Sequence, residues 1–150
     1  MGPPPTVDCH CFAVRSAARH VTQLYDQFLS PSGLRTTQFS ILAKLDRLGP
    51  MTINAIADAM VTDRTTLARN LKPLQRDGLI SVEQSADDRR AKELHLTKVG
   101  MRRLDEARTV WAQAQARFER TYGAKRAASL RDMLRAVVTS DFGQGQFEIR

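Results

Sequence analysis

Several features that define other protein classes are missing from this 150-residue sequence. No apolar run approaches the ~20 residues that a membrane-spanning helix needs, and the opening MGPPPT lacks the apolar core of a secretion signal. No nucleophile elbow, phosphate-binding loop or dinucleotide fingerprint is present, so we expect neither an enzyme nor a cofactor. We therefore predict a cytoplasmic protein with no membrane partner, whose three consecutive prolines lie in a disordered leader at residues 1–8.

Cysteine is also scarce, because Cys9 and Cys11, separated by His10, are the only two. A structural zinc site needs wider ligand spacing and usually a second cysteine pair, so we expect no metal. A redox role is a second possibility, since a thiol at a helix N-terminus can react as the thiolate. The alternative is that both cysteines are ordinary small residues in a reducing compartment.

Basic residues, by contrast, are abundant. The chain has 23 Lys and Arg against 16 Asp and Glu, which gives a net charge of +7. This excess favours a polyanionic partner. An RNA-binding or ribosomal protein would carry the same excess, so charge does not choose between DNA and RNA. With 42% apolar residues, the length suits one domain with a hydrophobic core.

The segment from Thr52 to Thr97 predicts two short helices followed by a basic hairpin. Thr52 and Thr62 are each suited to cap a helix, because a threonine hydroxyl can accept a free N–H of the first turn. Gly78 is suited to end the second helix. The first helix would bury Ile53, Ile56, Ala57 and Met60.

The second helix divides into an apolar and a cationic face at about 100° per residue. The apolar face carries Leu67, Leu71 and Leu74. The other carries Thr65, Arg69, Lys72 and Arg76. Taken alone, such a helix could equally be a surface helix with a solvated cationic face. In a helix-turn-helix, however, the first turn of the second helix enters the DNA major groove, where arginine can bind guanine and threonine can contact a base or phosphate. We therefore expect Arg64, Thr65, Thr66 and Arg69 at the DNA, with Arg69 and Thr65 as the leading base readers. Pro73 predicts a bend after this portion.

A hairpin is predicted after Gly78, because apolar and polar residues alternate in two short runs. Ile80 and Val82 would face the core from the first strand, and Leu94 and Leu96 from the second. The polar tip SADDRRAK places Arg89, Arg90 and Lys92 where they could enter the minor groove or bind phosphate. Asp88 could brace one arginine by a charge-assisted bond.

These motifs resemble the MarR family of bacterial transcription regulators. The resemblance rests on DRTTLARNL at 63–71, RDGLI at 76–80, and a wing motif formed by Asp88-Arg89-Arg90 and the run LHLTKVG at 94–100. It implies a winged helix-turn-helix that binds double-stranded DNA. It also implies that Arg90 reaches the minor groove with Asp88 as its brace, while Arg64, Thr65, Thr66 and Arg69 contact the major groove and phosphates.

The predicted fold is mainly α with a small β-hairpin wing (α+β), in a single domain over residues 9–150. The winged helix-turn-helix would cover about 36–100, and long dimerisation helices about 10–29 and 100–140. Apolar residues repeat at helical spacing in both terminal segments, which favours a two-fold homodimer. Such a dimer would read two half-sites about 10 base pairs apart. The resemblance implies a repressor that a small aromatic or anionic effector releases.

Two alternative hypotheses about function remain. The stretch Cys11-Phe12-Ala13 and Tyr25 resembles the organic-hydroperoxide-sensing branch of the family, in which a cysteine early in the first helix is oxidised and a tyrosine hydrogen-bonds to it. Arg15 and Thr36 stand where that branch has further tyrosines, so the resemblance is partial. The second reading is a basic module that binds RNA or another protein, which would explain the charge but not the helix-turn-helix followed by a wing.

Overall fold

The computed structural model describes residues 9–143, so the leader predicted at residues 1–8 lies outside the described part of the chain. The chain divides into two compact units between Ala114 and Gln115, and each unit is described by itself. Within residues 9–143, no helix is both long and apolar enough to cross a membrane.

Over these residues the chain forms six α-helices and three short strands. The helices are α1 His10–Leu29, α2 Thr36–Leu48, α3 Ile53–Ala59, α4 Arg64–Arg76, α5 Lys98–Tyr122 and α6 Ala124–Thr139. The strands are β1 Met51–Thr52, β2 Ile80–Gln84 and β3 Lys92–Leu96, joined in one antiparallel sheet of order β1-β3-β2. The mainly α fold with a β-hairpin is confirmed. Strand β1, only two residues long, is an addition that the sequence did not signal.

The first unit is built around a core of leucine and isoleucine. Helices α2, α3 and α4, the sheet, and the first half of α5 all contribute to it. The aromatic rings of Phe39 and Trp111 stack at its edge with centroids 5.7 Å apart. The largest fully buried side chains are Leu29, Ile41, Leu42, Ile56, Leu67, Leu74, Leu79, Leu94 and Leu104.

Helix α2 is held in the first unit by polar contacts at both of its ends. The Asp26 carboxylate of α1 accepts two hydrogen bonds from Thr36, from the main-chain N–H at 2.8 Å and from the hydroxyl at 2.7 Å. This satisfies free donors of the first turn. Near the other end, the Arg108 guanidinium binds Asp46, and this hydrogen bond raises the pKa of Arg108 above its ordinary value.

Helix α1 leaves much of its apolar stripe exposed. Phe12 is 53% and Val14 45% exposed, and Leu29 is the residue that the helix buries. The stripe that we predicted at helical spacing is therefore present on α1, and the side chains near its start are uncovered in the single chain.

The second unit contains the end of α5 and all of α6. The rings of Phe118 and Tyr122 lie 5.5 Å apart, and the Arg126 guanidinium lies 4.3 Å above the Tyr122 ring. Helix α6 begins after Gly123 and buries Ala127. Four of its apolar residues are exposed, and these are Met133, Leu134, Val137 and Val138.

Gly100 allows the start of α5 to pack directly against the main chain. A Cβ at this position would lie 2.0 Å from the Leu79 carbonyl oxygen and 2.8 Å from Leu96 Cδ1. Beside it, the Thr97 hydroxyl donates to the Gly78 carbonyl and accepts from the Gly100 N–H. The glycine of the LHLTKVG run is therefore explained by packing between the end of α4 and the start of α5.

We predict that Gly100→Ala destabilises the protein by at least about 2 kcal/mol, because the clash is with main chain that cannot rotate away. Urea unfolding followed by circular dichroism measures this. The matched control is Val99→Ala, since Val99 is 43% exposed, and its effect should stay within about 0.5 kcal/mol. Equal stability of the Gly100→Ala and Val99→Ala variants would contradict the packing account.

Candidate nucleic-acid interface

Helices α3 and α4 form a compact pair joined by a tight turn. Thr52 caps α3 as predicted, with its hydroxyl accepting from the Ala55 N–H at 3.1 Å. Val61 in the turn has a φ of +51°, an uncommon value for a β-branched residue. The Thr62 N–H then donates to the Ala57 carbonyl at 3.0 Å, which ties the turn back onto α3.

Our prediction that Thr62 caps α4 is wrong, because Asp63 is the cap. Asp63 has extended backbone, and its Oδ1 accepts from the Thr66 N–H at 2.8 Å. Its Oδ2 also accepts from the Thr66 hydroxyl at 2.8 Å. These bonds stabilise the ionised carboxylate and lower the pKa of Asp63 below 3.8, the main-chain bond being the largest cause. Thr62 instead belongs to the turn.

Helix α4 has the two faces that its sequence predicted. The apolar face is buried, with Leu67 and Leu74 each 1% exposed and Leu71 8% exposed. Arg64, Thr65, Arg69 and Lys72 are exposed on the remaining surface. Thr66 is exposed as well, but its hydroxyl donates a hydrogen bond to the Asp63 carboxylate. Thr66 therefore stabilises the helix tip. The helix continues past Pro73, where we expected a bend, to Arg76.

The wing follows from the end of α4. Gly78 adopts a left-handed φ of +71°, which directs the chain into β2. The register pairs Ile80 with Leu96 and Val82 with Leu94, so the apolar residues of both strands share one face. This is the alternation predicted from the sequence.

The wing tip carries Arg89 and Arg90, both exposed. Asp88 does brace this tip, but through the main chain. Its Oδ1 accepts from the Arg90 N–H at 2.9 Å, and no ion pair joins it to a guanidinium in the described part of the chain. The charge-assisted bond that we expected between Asp88 and an arginine side chain is therefore replaced by a hydrogen bond within the turn. The Arg90 side chain remains available for another anion.

Two clefts are lined by residues of both the helix pair and the wing. One cleft, of about 570 Å³, is lined by Arg64 from the α4 tip, Arg90 from the wing and Asn54 from α3. The other, of about 560 Å³, is lined by Lys72 and Arg89 together with apolar residues such as Leu71 and Leu94. The structure therefore places Arg64 and Lys72 of the helix around clefts shared with wing cations that are far away in the sequence. Arg69, Thr65 and Thr66 are exposed on α4 but line neither cleft.

Asn54 and Gln75 are residues that the sequence reasoning missed. Each lines one of the two clefts among the basic residues. Amide side chains can donate and accept on a base edge. A helical-wheel comparison with Ile53 and Ile56 would have placed Asn54 on the outer side of α3, but nothing in the sequence indicated that the wing lies beside it.

A buried leucine face, an exposed basic tip and a basic hairpin define a winged helix-turn-helix. Residues 34–92 match the MarR family. The crystal structure of the M. tuberculosis transcriptional regulator MosR is similar at 33% identity and a TM-score of 0.75, over 89% of this chain and 98% of that chain. The chain therefore belongs to the MarR family of transcription regulators, a family of regulators rather than enzymes.

Further similarities agree with this assignment. A crystal structure of MosR in complex with DNA matches at 36% identity and a TM-score of 0.74, over 87% of this chain and 96% of that chain. The HTH-type transcriptional regulator YwoH of Bacillus subtilis is 30% identical over 93 residues, which are 62% of this chain and 67% of that protein. The organic hydroperoxide resistance transcriptional regulator of the same organism is 27% identical over 90 residues, 60% of this chain and 61% of that protein.

We predict that Asp63→Ala lowers the melting temperature by roughly 3 °C at pH 7, because the α4 tip loses its cap. Because folding lowers the pKa of Asp63, its contribution is present above 3.8 and is lost as the pH falls through the lower folded-state value. The difference between wild type and Asp63→Ala should therefore shrink below pH 3.8. Thermal scans across pH measure it.

Asp63→Asn is the control, because its amide oxygen can still accept from the Thr66 N–H. It should lie closer to wild type than Asp63→Ala does. A gap between wild type and Asp63→Ala that stays constant down to pH 2 would show that the carboxylate does not act as described.

Proposed function

We propose that the protein is a homodimeric repressor that binds a near-palindromic operator in double-stranded DNA and is released by a small-molecule signal. The observation that carries the DNA-binding part is the shared cleft of Arg64 and Arg90. Two cations from separate elements lie beside an exposed helix tip, so the tip can enter a major groove while the wing follows the adjacent phosphates or minor groove.

Roles within the interface follow from position. Arg69 and Thr65 are exposed near the α4 tip and read base edges, with Arg64 beside them. Lys72, one turn further on, binds phosphate. Thr66 fixes the tip through Asp63. Arg89 and Arg90 bind the backbone or minor groove, and Asp88 shapes their turn. The crystallised complex of the related MosR with DNA supports this proposal.

The homodimer is supported by the uncovered apolar stripes of the terminal helices. In the single chain, Phe12 is 53%, Met133 60% and Val138 60% exposed. Large apolar side chains exposed along a helix are typical of a protein interface. A second copy of the chain supplies matching stripes, and a two-fold axis would set two α4 tips about one DNA turn apart.

Release requires an effector that favours a different spacing of the two α4 tips. A small aromatic or anionic effector shifts DNA binding only if it binds the DNA-incompetent spacing more tightly than the competent one. The exposed Arg15, Arg19 and Arg35 are candidate anion partners for such a ligand.

Selection from randomised double-stranded DNA tests the proposal, with randomised single-stranded RNA as the parallel control. We expect an enriched palindrome whose half-sites lie about 10 base pairs apart. Enrichment of single-stranded RNA instead would support the RNA-binding alternative. If neither kind of nucleic acid is enriched, the proposed function is wrong and a protein-interaction module is favoured. A duplex without symmetry would contradict the homodimer alone.

We predict that Arg69→Ala and Lys72→Ala weaken DNA binding in different ways. Arg69→Ala should cost about 1–3 kcal/mol on the selected duplex and relax its base preference. Lys72→Ala should weaken all duplexes alike and reduce the dependence of affinity on salt. Fluorescence anisotropy on selected and random duplexes at several salt concentrations separates the two. Equal losses on both duplexes for both variants would refute this division of roles.

A second candidate concerns the signal, which would be oxidation of Cys11. Both Cys9 and Cys11 are exposed, and Cys9 Sγ accepts from the Phe12 N–H at the start of α1. The similarity to a regulator of organic hydroperoxide resistance favours this signal. Cys11 and Tyr25 are about 21 Å apart along α1 at 1.5 Å per residue. A hydrogen bond between them would therefore need Tyr25 from the second copy.

If oxidation is the signal, Cys11→Ser should abolish release of the selected duplex by cumene hydroperoxide and leave the affinity of the reduced protein unchanged. Anisotropy before and after peroxide measures both properties. Cys9→Ser is the matched control. Release from Cys11→Ser at the wild-type peroxide concentration would exclude Cys11 as the sensing thiol.

A further inference from the structure

Ser85 is the one buried polar side chain among residues 9–143, with 5% of its surface exposed. It lies directly after β2, at the base of the wing tip. Its hydroxyl donates to Glu93 Oε1 at 2.7 Å and accepts from the Asp87 and Asp88 N–H groups at 3.3 and 3.4 Å. A serine hydroxyl offers one donor and two acceptor sites. All three are used here.

The bonds of Ser85 continue into the turn that carries the arginines. The Ser85 N–H donates to the Ala91 carbonyl at 2.9 Å, which closes the tip. Asp88, held by Ser85, accepts from the Arg90 N–H through its side chain and from the Ala91 N–H through its carbonyl. The main chain of Arg90 is therefore two hydrogen bonds away from the Ser85 hydroxyl.

On the other side, Glu93 orients the Ser85 hydroxyl. Glu93 stands directly opposite Glu83 in the sheet, an unfavourable pair of like charges. His95 Nε2 lies 3.4 Å from Glu93 Oε2 and 3.6 Å from Glu83 Oε2, where a protonated imidazole would relieve that repulsion. The two oxygens of Glu93 thus face different partners, Ser85 and His95. The carboxylate position is set from both sides.

We propose that Ser85, oriented by Glu93, is a positioning residue for DNA binding. It holds the wing tip so that the Arg90 side chain contacts the DNA backbone. This inference rests on the proposed function. Arg90 is an exposed residue in an exposed turn, and free movement of that turn would add an ordering cost to each DNA contact. Fixing the turn before binding removes part of that cost. The role of Ser85 is therefore exerted through Arg90 and not by contact with DNA.

The test compares Ser85→Ala, Arg90→Ala and the double variant by anisotropy on the selected duplex and on a random 30-base-pair duplex at low salt. Ser85→Ala should weaken binding by about five-fold, the size expected when the two main-chain hydrogen bonds from Asp87 and Asp88 no longer hold the tip before binding. It should also reduce the salt dependence toward that of Arg90→Ala. In the Arg90→Ala background, Ser85→Ala should change affinity by less than about two-fold.

Two further variants separate positioning from general damage. Ser81→Ala removes a hydroxyl on the same face of β2, one that donates only locally to Glu83, and it should bind like wild type. Glu93→Gln keeps an oxygen that can accept from Ser85 and should lose less affinity than Ser85→Ala. Amide exchange in the free protein should be faster at Asp87 and Asp88 in Ser85→Ala and unchanged in Ser81→Ala.

The possible failures are distinguishable. Wild-type protein that binds neither duplex would overturn the proposed function and this inference together. Normal wild-type binding with full affinity in Ser85→Ala would overturn the inference alone. So would an equal loss from Ser85→Ala with and without the Arg90 side chain. If Ser85→Ala fails to fold, Glu93→Ala replaces it in the same cycle, because it removes the acceptor that orients Ser85.

Discussion

Burial of the leucine face of α4 is the interaction on which the rest of the interface depends. Leu67, Leu71 and Leu74 pack into the core with Ile56 and Leu94, and each fully buried leucine contributes about 1.5–3 kcal/mol. Because side chains on a helix have fixed angular positions, burial of this face leaves Thr65, Arg69 and Lys72 at the surface. The same packing keeps α4 against the sheet, so the wing cations share clefts with those of the helix.

Short polar contacts then refine the two ends of the interface. At the helix tip, Asp63 accepts two bonds from Thr66 and starts α4 at a defined residue. At the wing, Ser85 and Asp88 hold the turn around Arg90. In both places an acidic or hydroxyl side chain accepts hydrogen bonds from main-chain N–H groups. It does not form an ion pair with the neighbouring arginine side chains. The cations therefore keep their capacity to bind phosphate or bases.

Much of this architecture could be predicted from the sequence, and particular failures show the limits. The leucine periodicity of α4 and the alternation of Ile80 and Val82 were reliable, because core burial decides both. The choice of Thr62 over Asp63 as the cap was wrong, since both residues are good caps and the turn decides between them. The bond of Asp88 to the Arg90 N–H was missed, because sequence spacing does not distinguish a main-chain donor from a guanidinium. Strand β1 is too short to leave a pattern.

The sequence by itself determined the class of protein. Helical and alternating periodicities and the motifs at 63–71 and 94–100 depend on local order along the chain, and the positive charge depends on composition alone. Only the tertiary structure decided which residues meet. Arg64 and Arg90 line one cleft, Asn54 joins them, and Ser85 connects the wing tip to Glu93. These relations depend on how α4 packs against the sheet and on the register of β2 and β3, which arise from burial of residues distant in the chain and have no local signature.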